Sequence, residues 1–221
     1  MAKEWAWSYS KKKNYDTCPK RHYEVDIAKH FQDTSEQLTW GNSVHDALAK
    51  ACSGKGVLPE SMGSYQKWVD VVRASPGRLL VEQKYAITRD FQKTSWFGDN
   101  VWYRGICDLL IIKGDTATAL DWKTGKVLHD SIQLMLMATC IFIHHPEVNQ
   151  IKTRFMWLKD ECTTRDTFDR HKIMEQWVPL IPEITAMQKA AETMTYPPKP
   201  NRLCRKHCPV TSCPFHGKAQ S

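Results

Sequence analysis

Two carboxylates and an amine stand close together in the middle of this chain. Asp108 lies within Gly105-Ile106-Cys107-Asp108-Leu109-Leu110-Ile111-Ile112, and Asp121 and Lys123 close the run Thr116-Ala117-Thr118-Ala119-Leu120-Asp121-Trp122-Lys123. Lys113-Gly114-Asp115 separates them as a turn, so both runs read as strands of one hairpin. An acid set among Ile106, Leu109 and Leu110 is costly to bury unless a cation or hydrogen bonds compensate it. Asp121 and Lys123 are two residues apart on an extended strand, so both side chains project to the same face. Hard oxygen ligands beside an ammonium suit hydrolysis of a phosphodiester. A divalent cation neutralises the non-bridging oxygens and generates hydroxide at neutral pH, while the lysine adds positive charge to the transition state. For Lys123 also to act as a base, its pKa would have to fall well below the ordinary value of about 10.4.

The surrounding pattern supplies the scaffold. Residues 8–31 predict a helix with a basic face, broken at Cys18-Pro19. Residues 39–52 predict a second helix, with Trp40, Val44, Ala47, Leu48 and Ala51 as its apolar stripe and His45 beside that stripe. A short helix over 65–72, ending before Pro76-Gly77, leads to a strand over 79–87 that carries Glu82. A polar stretch to Asn100 precedes the hairpin. After Thr124-Gly125-Lys126 come a helix over 131–144 that includes Gln133, a strand over 150–158, and a helical segment over 170–194 broken near Pro179 and Pro182. This order predicts an α/β core with a mixed sheet flanked by helices. At 221 residues, one domain is expected: a helical cap region over 1–78, a catalytic core over 79–195 and a Cys-rich tail over 196–221.

The hairpin is specific enough to carry a resemblance. Gly105-x-x-Asp108, followed by Asp121-Trp122-Lys123-Thr124-Gly125-Lys126, resembles the core of the PD-(D/E)XK nuclease superfamily in its RecB-like branch. That branch includes phage exonucleases and CRISPR-associated nucleases. The resemblance implies a restriction-endonuclease-like sheet. Asp108 and Asp121 would be its metal-binding acids, with the Trp122 backbone carbonyl as a further metal donor and Lys123 beside the scissile phosphate. Trp40-Gly41-Asn42-Ser43-Val44-His45-Asp46-Ala47-Leu48 is similar to the branch's Gly-x-x-x-His-x-x-Leu helix, which implies His45 as a ligand. A neutral imidazole tolerates Mn²⁺ alongside oxygen donors, so Mg²⁺ or Mn²⁺ is the expected cation. Glu82 would be a supporting or additional acid of the metal site. Gln133 would organise the site, although Met137 stands where the branch usually has a tyrosine four residues on.

Three thiols, Cys204, Cys208 and Cys213, fall within ten residues near the end of the chain. With no apolar signal segment at Met1-Ala2-Lys3-Glu4-Trp5, the protein is expected in the cytoplasm, where such crowding points to metal rather than disulfides. A fourth ligand is then needed, from His207, His216 or Cys18. Ser10-Lys11-Lys12-Lys13-Asn14-Tyr15-Asp16-Thr17-Cys18-Pro19-Lys20-Arg21-His22-Tyr23 is similar to the N-terminal phrase of the branch's iron–sulfur members. That similarity implies a [4Fe-4S] cluster on Cys18, Cys204, Cys208 and Cys213, clasping the N-terminal cap to the tail. The middle cysteine is displaced by one place from the usual Cys-x2-Cys-x5-Cys, and a structural Zn²⁺ is the alternative.

Formal charge is +7 and pI about 8.9, a mild bias towards a polyanionic partner. No run approaches the roughly 18 apolar residues of a membrane span. Lys11-Lys12-Lys13 with Lys20-Arg21, Lys84 with Arg89, and the basic residues from Lys199 to Lys206 could contact phosphates. A clasp would unite the first and last groups in one rim. Trp5, Trp7, Tyr9, Trp96 and Phe97 are possible stacking surfaces for unpaired bases. The expected activity is a DNA exonuclease of recombination or repair, encoded by a virus or mobile element and working with a recombination or single-strand annealing partner. An endonuclease of the same fold and an inactive nucleic-acid-binding protein are the alternatives.

Overall fold

The computed structural model describes residues 5–32, 35–128 and 130–218. Among the described residues two compact units emerge, one over 36–177 and the other over 5–32 with 35 and 178–218. The linear boundaries expected at 78 and 195 do not coincide with these units. The helices of 36–74 pack with the sheet, and residues 178–195 join the segments at the two ends of the chain.

In the first unit, α3 (Glu36–Cys52) and α4 (Gln66–Ala74) precede six strands: β1 (Arg78–Ile87), β2 (Lys93–Thr94), β3 (Tyr103–Lys113), β4 (Thr116–Lys123), β5 (Gln150–Trp157) and β6 (Cys162–Asp169). They form one sheet in the order β2-β1-β3-β4-β5-β6. All neighbours run antiparallel except β4 and β5, which are parallel. Parallel neighbours need a crossover, and α5 (Ser131–His144) provides it. That helix is apolar almost all round, with Leu134 through Phe142 buried, as expected of a helix enclosed by sheet and neighbouring segments. Val44 and Leu48 of α3 and Val69 and Val72 of α4 pack with Leu109, Leu120, Trp122 and Met156.

β6 is absent from the sequence expectation. Cys162-Thr163-Thr164-Arg165-Asp166-Thr167-Phe168-Asp169 lacks apolar alternation because it lies at the sheet's edge, where its burial is low and its order comes from pairing with β5. β2 is a two-residue strand at the opposite edge, inside the expected polar stretch.

The second unit holds α1 (Tyr9–Thr17), α2 (Pro19–His22), a π-helical turn over Tyr23–Ile27, and α6 (Ile181–Glu192). Ser8 caps α1 by accepting the Lys11 N–H at 3.4 Å, and the break falls at Cys18, whose backbone is extended before Pro19. Lys12 is not part of a solvated basic rim. It is 5% exposed and held between Asp16, at 2.5 Å, and Glu183, at 2.6 Å. Among the described residues, no helix is long and apolar enough to cross a membrane.

At the end of α5, Tyr85 Oη lies 2.9 Å from His145 Nε2, and His144 Nε2 lies 2.9 Å from the Ala86 carbonyl. Burial holds both imidazoles below their ordinary pKa, with Lys93 disfavouring the cations of both and Arg78 that of His145, against Glu147 beside His145. Their folded pKa values are depressed, so their stabilisation is complete above the unfolded value near 6.5 and declines as pH falls below it. Between pH 8 and 5, the thermal midpoint of His144→Gln should shift in the variant's favour relative to the native protein below about 6.5, because every other titrating group acts equally on both.

Candidate active site

The site forms where two strand pairings lapse at the same residue. β1 and β3 pair from Arg78 with Ile112 to Val81 with Leu109, and again from Gln83 with Cys107 to Ile87 with Tyr103. Only Glu82 opposite Asp108 is missing from that ladder. Glu82 has φ of 51°, the left-handed region that costs a non-glycine residue about 1–3 kcal/mol. The strand rolls over there. Leu79 and Val81 pack on the α3–α4 cluster, whereas Tyr85, of the same parity, turns to the end of α5.

β3 and β4 pair only as far as Leu109 with Leu120, so the next rung, Asp108 with Asp121, is open. Asp108 turns its carboxylate into this opening. Its Oδ2 accepts the Trp122 N–H at 2.8 Å and lies 3.2 Å from His45 Nδ1. Val44 and Leu48, both fully buried, fix the rotation of α3 that brings His45 to this point.

Ligand atoms of His45, Glu82 and Asp108 all lie within 4.8 Å of one another, and this is the one such three-residue group among the described residues. Two carboxylates and an imidazole fit a divalent cation such as Mg²⁺ or Mn²⁺. Asp121 stands in an adjoining ring. Its Oδ2 is 2.7 Å from Lys123 Nζ and accepts from Gln133 Nε2 at 3.0 Å, while Lys123 Nζ donates to Gln133 Oε1 at 3.0 Å. The geometry thus draws Glu82 into the three-residue group and gives Asp121 a hydrogen-bonded position beside it.

The local field is that of crowded acids. Burial, then the Asp108 charge, push the Glu82 carboxyl up to about 7. The same two causes raise Asp121, against the pull of Lys123. Burial lowers the His45 pKa, but the hydrogen bond and charge of Asp108 overcome it and leave a net rise. Each perturbation disfavours crowded negative charge or favours positive charge, which is the field that attracts a cation.

The cleft has a volume of about 480 Å³, with His45, Glu82, Asp108 and Lys123 in its wall. Phe155 was not singled out in the sequence, yet Lys123 Nζ sits 4.6 Å from its ring centroid. No local pattern announces that contact, because it comes from the parallel neighbour β5. Asp130 was also missed. It caps α5, accepting the Gln133 N–H at 3.3 Å and so fixing the residue that bridges Asp121 and Lys123. The Asp-x-x-Gln phrase at the helix start was its available signal. Met137, in the place of the branch's tyrosine, is buried in the core.

In the second unit, Cys18, Cys204, Cys208 and Cys213 line one cavity, and neither His207 nor His216 does. Cys18 Sγ accepts the Lys199 N–H at 3.3 Å, and Cys204 Sγ accepts that of Asn201 at 3.4 Å. The Val210 backbone also bonds Cys208. Asn201 ties both ends together, donating to the Thr17 carbonyl at 3.1 Å and accepting the Leu203 N–H at 2.9 Å.

Two substitutions separate the roles within the cleft around Asp108. Glu82→Gly should keep or raise stability by about 1 kcal/mol in chemical denaturation, since glycine accepts the left-handed backbone, while Mn²⁺ affinity by calorimetry falls. Gln133→Ala should reduce metal affinity or turnover by about 10- to 100-fold, the usual effect of removing a hydrogen bond that orients a ligand.

A sequence model of the PD-(D/E)XK nuclease superfamily matches residues 55–214. The match starts after His45, so that residue's place rests on geometry. No curated protein matches the chain significantly. Among solved structures, a "putative exonuclease" from Eubacterium rectale is similar at a TM-score of 0.57 and 9% identity, covering 91% of this chain and 86% of its own. The crystal structure of SSO0001 is similar at a TM-score of 0.48 and 12% identity, covering 97% and 89%. The six-stranded mixed sheet flanked by helices is a restriction-endonuclease-like α/β fold, and the chain belongs to the PD-(D/E)XK nuclease superfamily.

Proposed function

We propose that this nuclease is a divalent-metal-dependent DNA exonuclease of recombination or repair. The observation that carries the reading is the convergence of His45, Glu82 and Asp108 within 4.8 Å, next to the Asp121–Lys123–Gln133 ring. His45, Glu82 and Asp108 would hold Mg²⁺ or Mn²⁺, with Asp121 and the Trp122 carbonyl as further donors. A cation there would supply charge neutralisation at the scissile phosphate and a more acidic water. Lys123 donates to a non-bridging oxygen as its charge grows, and Asp121 and Gln133 keep the ammonium aimed before substrate arrives. Asp108 keeps its carboxylate oriented through the Trp122 N–H.

The second unit supports a [4Fe-4S] cluster on Cys18, Cys204, Cys208 and Cys213. All four thiols line one cavity, which is the convergence such a cluster needs. The Lys199 and Asn201 N–H groups directed at the Cys18 and Cys204 sulfurs favour thiolate ligands. The proposed setting is a reducing cytoplasm, with the gene carried by a phage or other mobile element.

Purified protein incubated with end-labelled linear and sealed circular DNA, in Mn²⁺ or in EDTA, tests the activity. Linear DNA should be degraded in Mn²⁺ only, with the circle intact, and Asp121→Ala or Lys123→Ala should slow degradation at least about 100-fold. Cutting of the circle would establish an endonuclease instead. No cleavage of any DNA would point to a binding role. For the cysteines, a brown anaerobic preparation that Cys208→Ala bleaches is expected, and a colourless protein with stoichiometric zinc would refute the cluster.

A further inference from the structure

Beyond the metal group, the loop of two candidate stacking residues, Trp96 and Phe97, meets Lys84 and a cation not singled out in the sequence, Arg104. Trp96 lies under two cations, with Lys84 Nζ and the Arg104 guanidinium carbon each 5.8 Å from its ring centroid. Arg104 Nε also donates to the Trp96 carbonyl at 2.7 Å. Next to it, Phe97 is 83% exposed. The loop bearing both rings is built to hold them. Gly98 N–H bonds the Ser95 carbonyl at 3.0 Å, and Thr94 Oγ1 bonds Asn100 Oδ1 at 2.7 Å. A Cβ on Gly98 would lie 2.6 Å from Thr94 Oγ1 and 3.2 Å from Ser95 Oγ, so glycine is what lets this turn close.

The constellation is continuous with the cleft. Tyr85 turns to α5, so Lys84 turns to the other face of β1, and its ladder partner is Ile106. Ile106, 48% exposed, lines the cleft with Glu82 and Asp108. At the usual strand rise, Lys84 is roughly 7 Å from Glu82 and Arg104 roughly 13 Å from Asp108. Those are distances to a neighbouring nucleotide, not to the scissile one.

We propose that Trp96, Phe97, Lys84 and Arg104 form a subsite for single-stranded DNA, in which the cations take a backbone phosphate and the aromatic loop stacks an unpaired base. The proposal rests on the nuclease reading and names the form of DNA that reaches the site. Lys84 and Arg104 match the charge of phosphate, and a large exposed aromatic on a braced loop has an occupant in a base. The base must be unpaired, because within a duplex both faces of each base are already stacked on neighbours. Ile106 then supplies an apolar floor between the subsite and the metal group.

The full-length protein, with Ca²⁺ present, is titrated into a labelled oligothymidylate and into a blunt hairpin duplex, and binding is read by fluorescence anisotropy. Phe97→Ala should weaken single-strand binding about 5- to 50-fold while changing duplex binding less than about 2-fold, and Phe97→Trp should restore it. Because Phe97 is exposed, its substitution leaves the core untouched. Lys84→Ala should weaken the same complex and lower its salt dependence. Native single-strand binding that is absent, unaffected by Phe97→Ala, or lost equally on the duplex would overturn the subsite. Metal-dependent cleavage is measured separately at saturating DNA. If the native protein cuts nothing, the proposed activity fails whatever the binding shows. If Phe97→Ala retains turnover but needs more single-stranded substrate, both readings stand.

Discussion

A single buried carboxylate organises the first unit. Asp108 is 7% exposed, and without partners such a charge would cost several kcal/mol. Its partners exist only because regular pairing stops around it: β1 skips a rung at Glu82, β4 leaves β3 after Leu120, and the freed Trp122 N–H turns to the carboxylate. His45 completes the shell from α3. The same departures from sheet regularity open the cleft, so the stability problem and the functional site have one structural origin.

Glu82 and Asp121 show how that origin is distributed. Glu82 accepts an unfavourable backbone to place a carboxylate beside Asp108, and burial, followed by the Asp108 charge, raises its pKa. Asp121 is compensated differently, by Lys123 and by Gln133, which is itself set by the Asp130 cap of α5. The crossover helix that makes a parallel β4–β5 pair possible therefore also delivers the side chain that orders the lysine. Topology and chemistry meet in the first turn of α5.

The second unit has a different logic. Residues near 18 and 200 are joined by Lys199 and Asn201 through backbone carbonyls and sulfur, and Tyr196 stacks on Tyr23 beside them. Lys12 shows the limit of reading charge runs as surface, because a lysine within Lys11-Lys12-Lys13 is buried between two acids. A charge run specifies composition, while partners distant in sequence decide which member is solvated.

Much of this was legible in the chain. The hairpin of Asp108 and Asp121, the limits of α5, and the break at Cys18-Pro19 follow from local signals: turn residues, apolar periodicity and proline's missing N–H. β6 was not legible, because an edge strand draws order from its neighbour and needs no apolar alternation of its own. Nor were the kink at Glu82, the open rung between Asp108 and Asp121, or Phe155 beneath Lys123. The sequence by itself determined which chemical groups are present and on which elements they ride, since types and periodicities are local properties. Only the tertiary structure decided which acids share a point in space, because β-pairing register, strand divergence and helix docking join residues that local sequence cannot bring together.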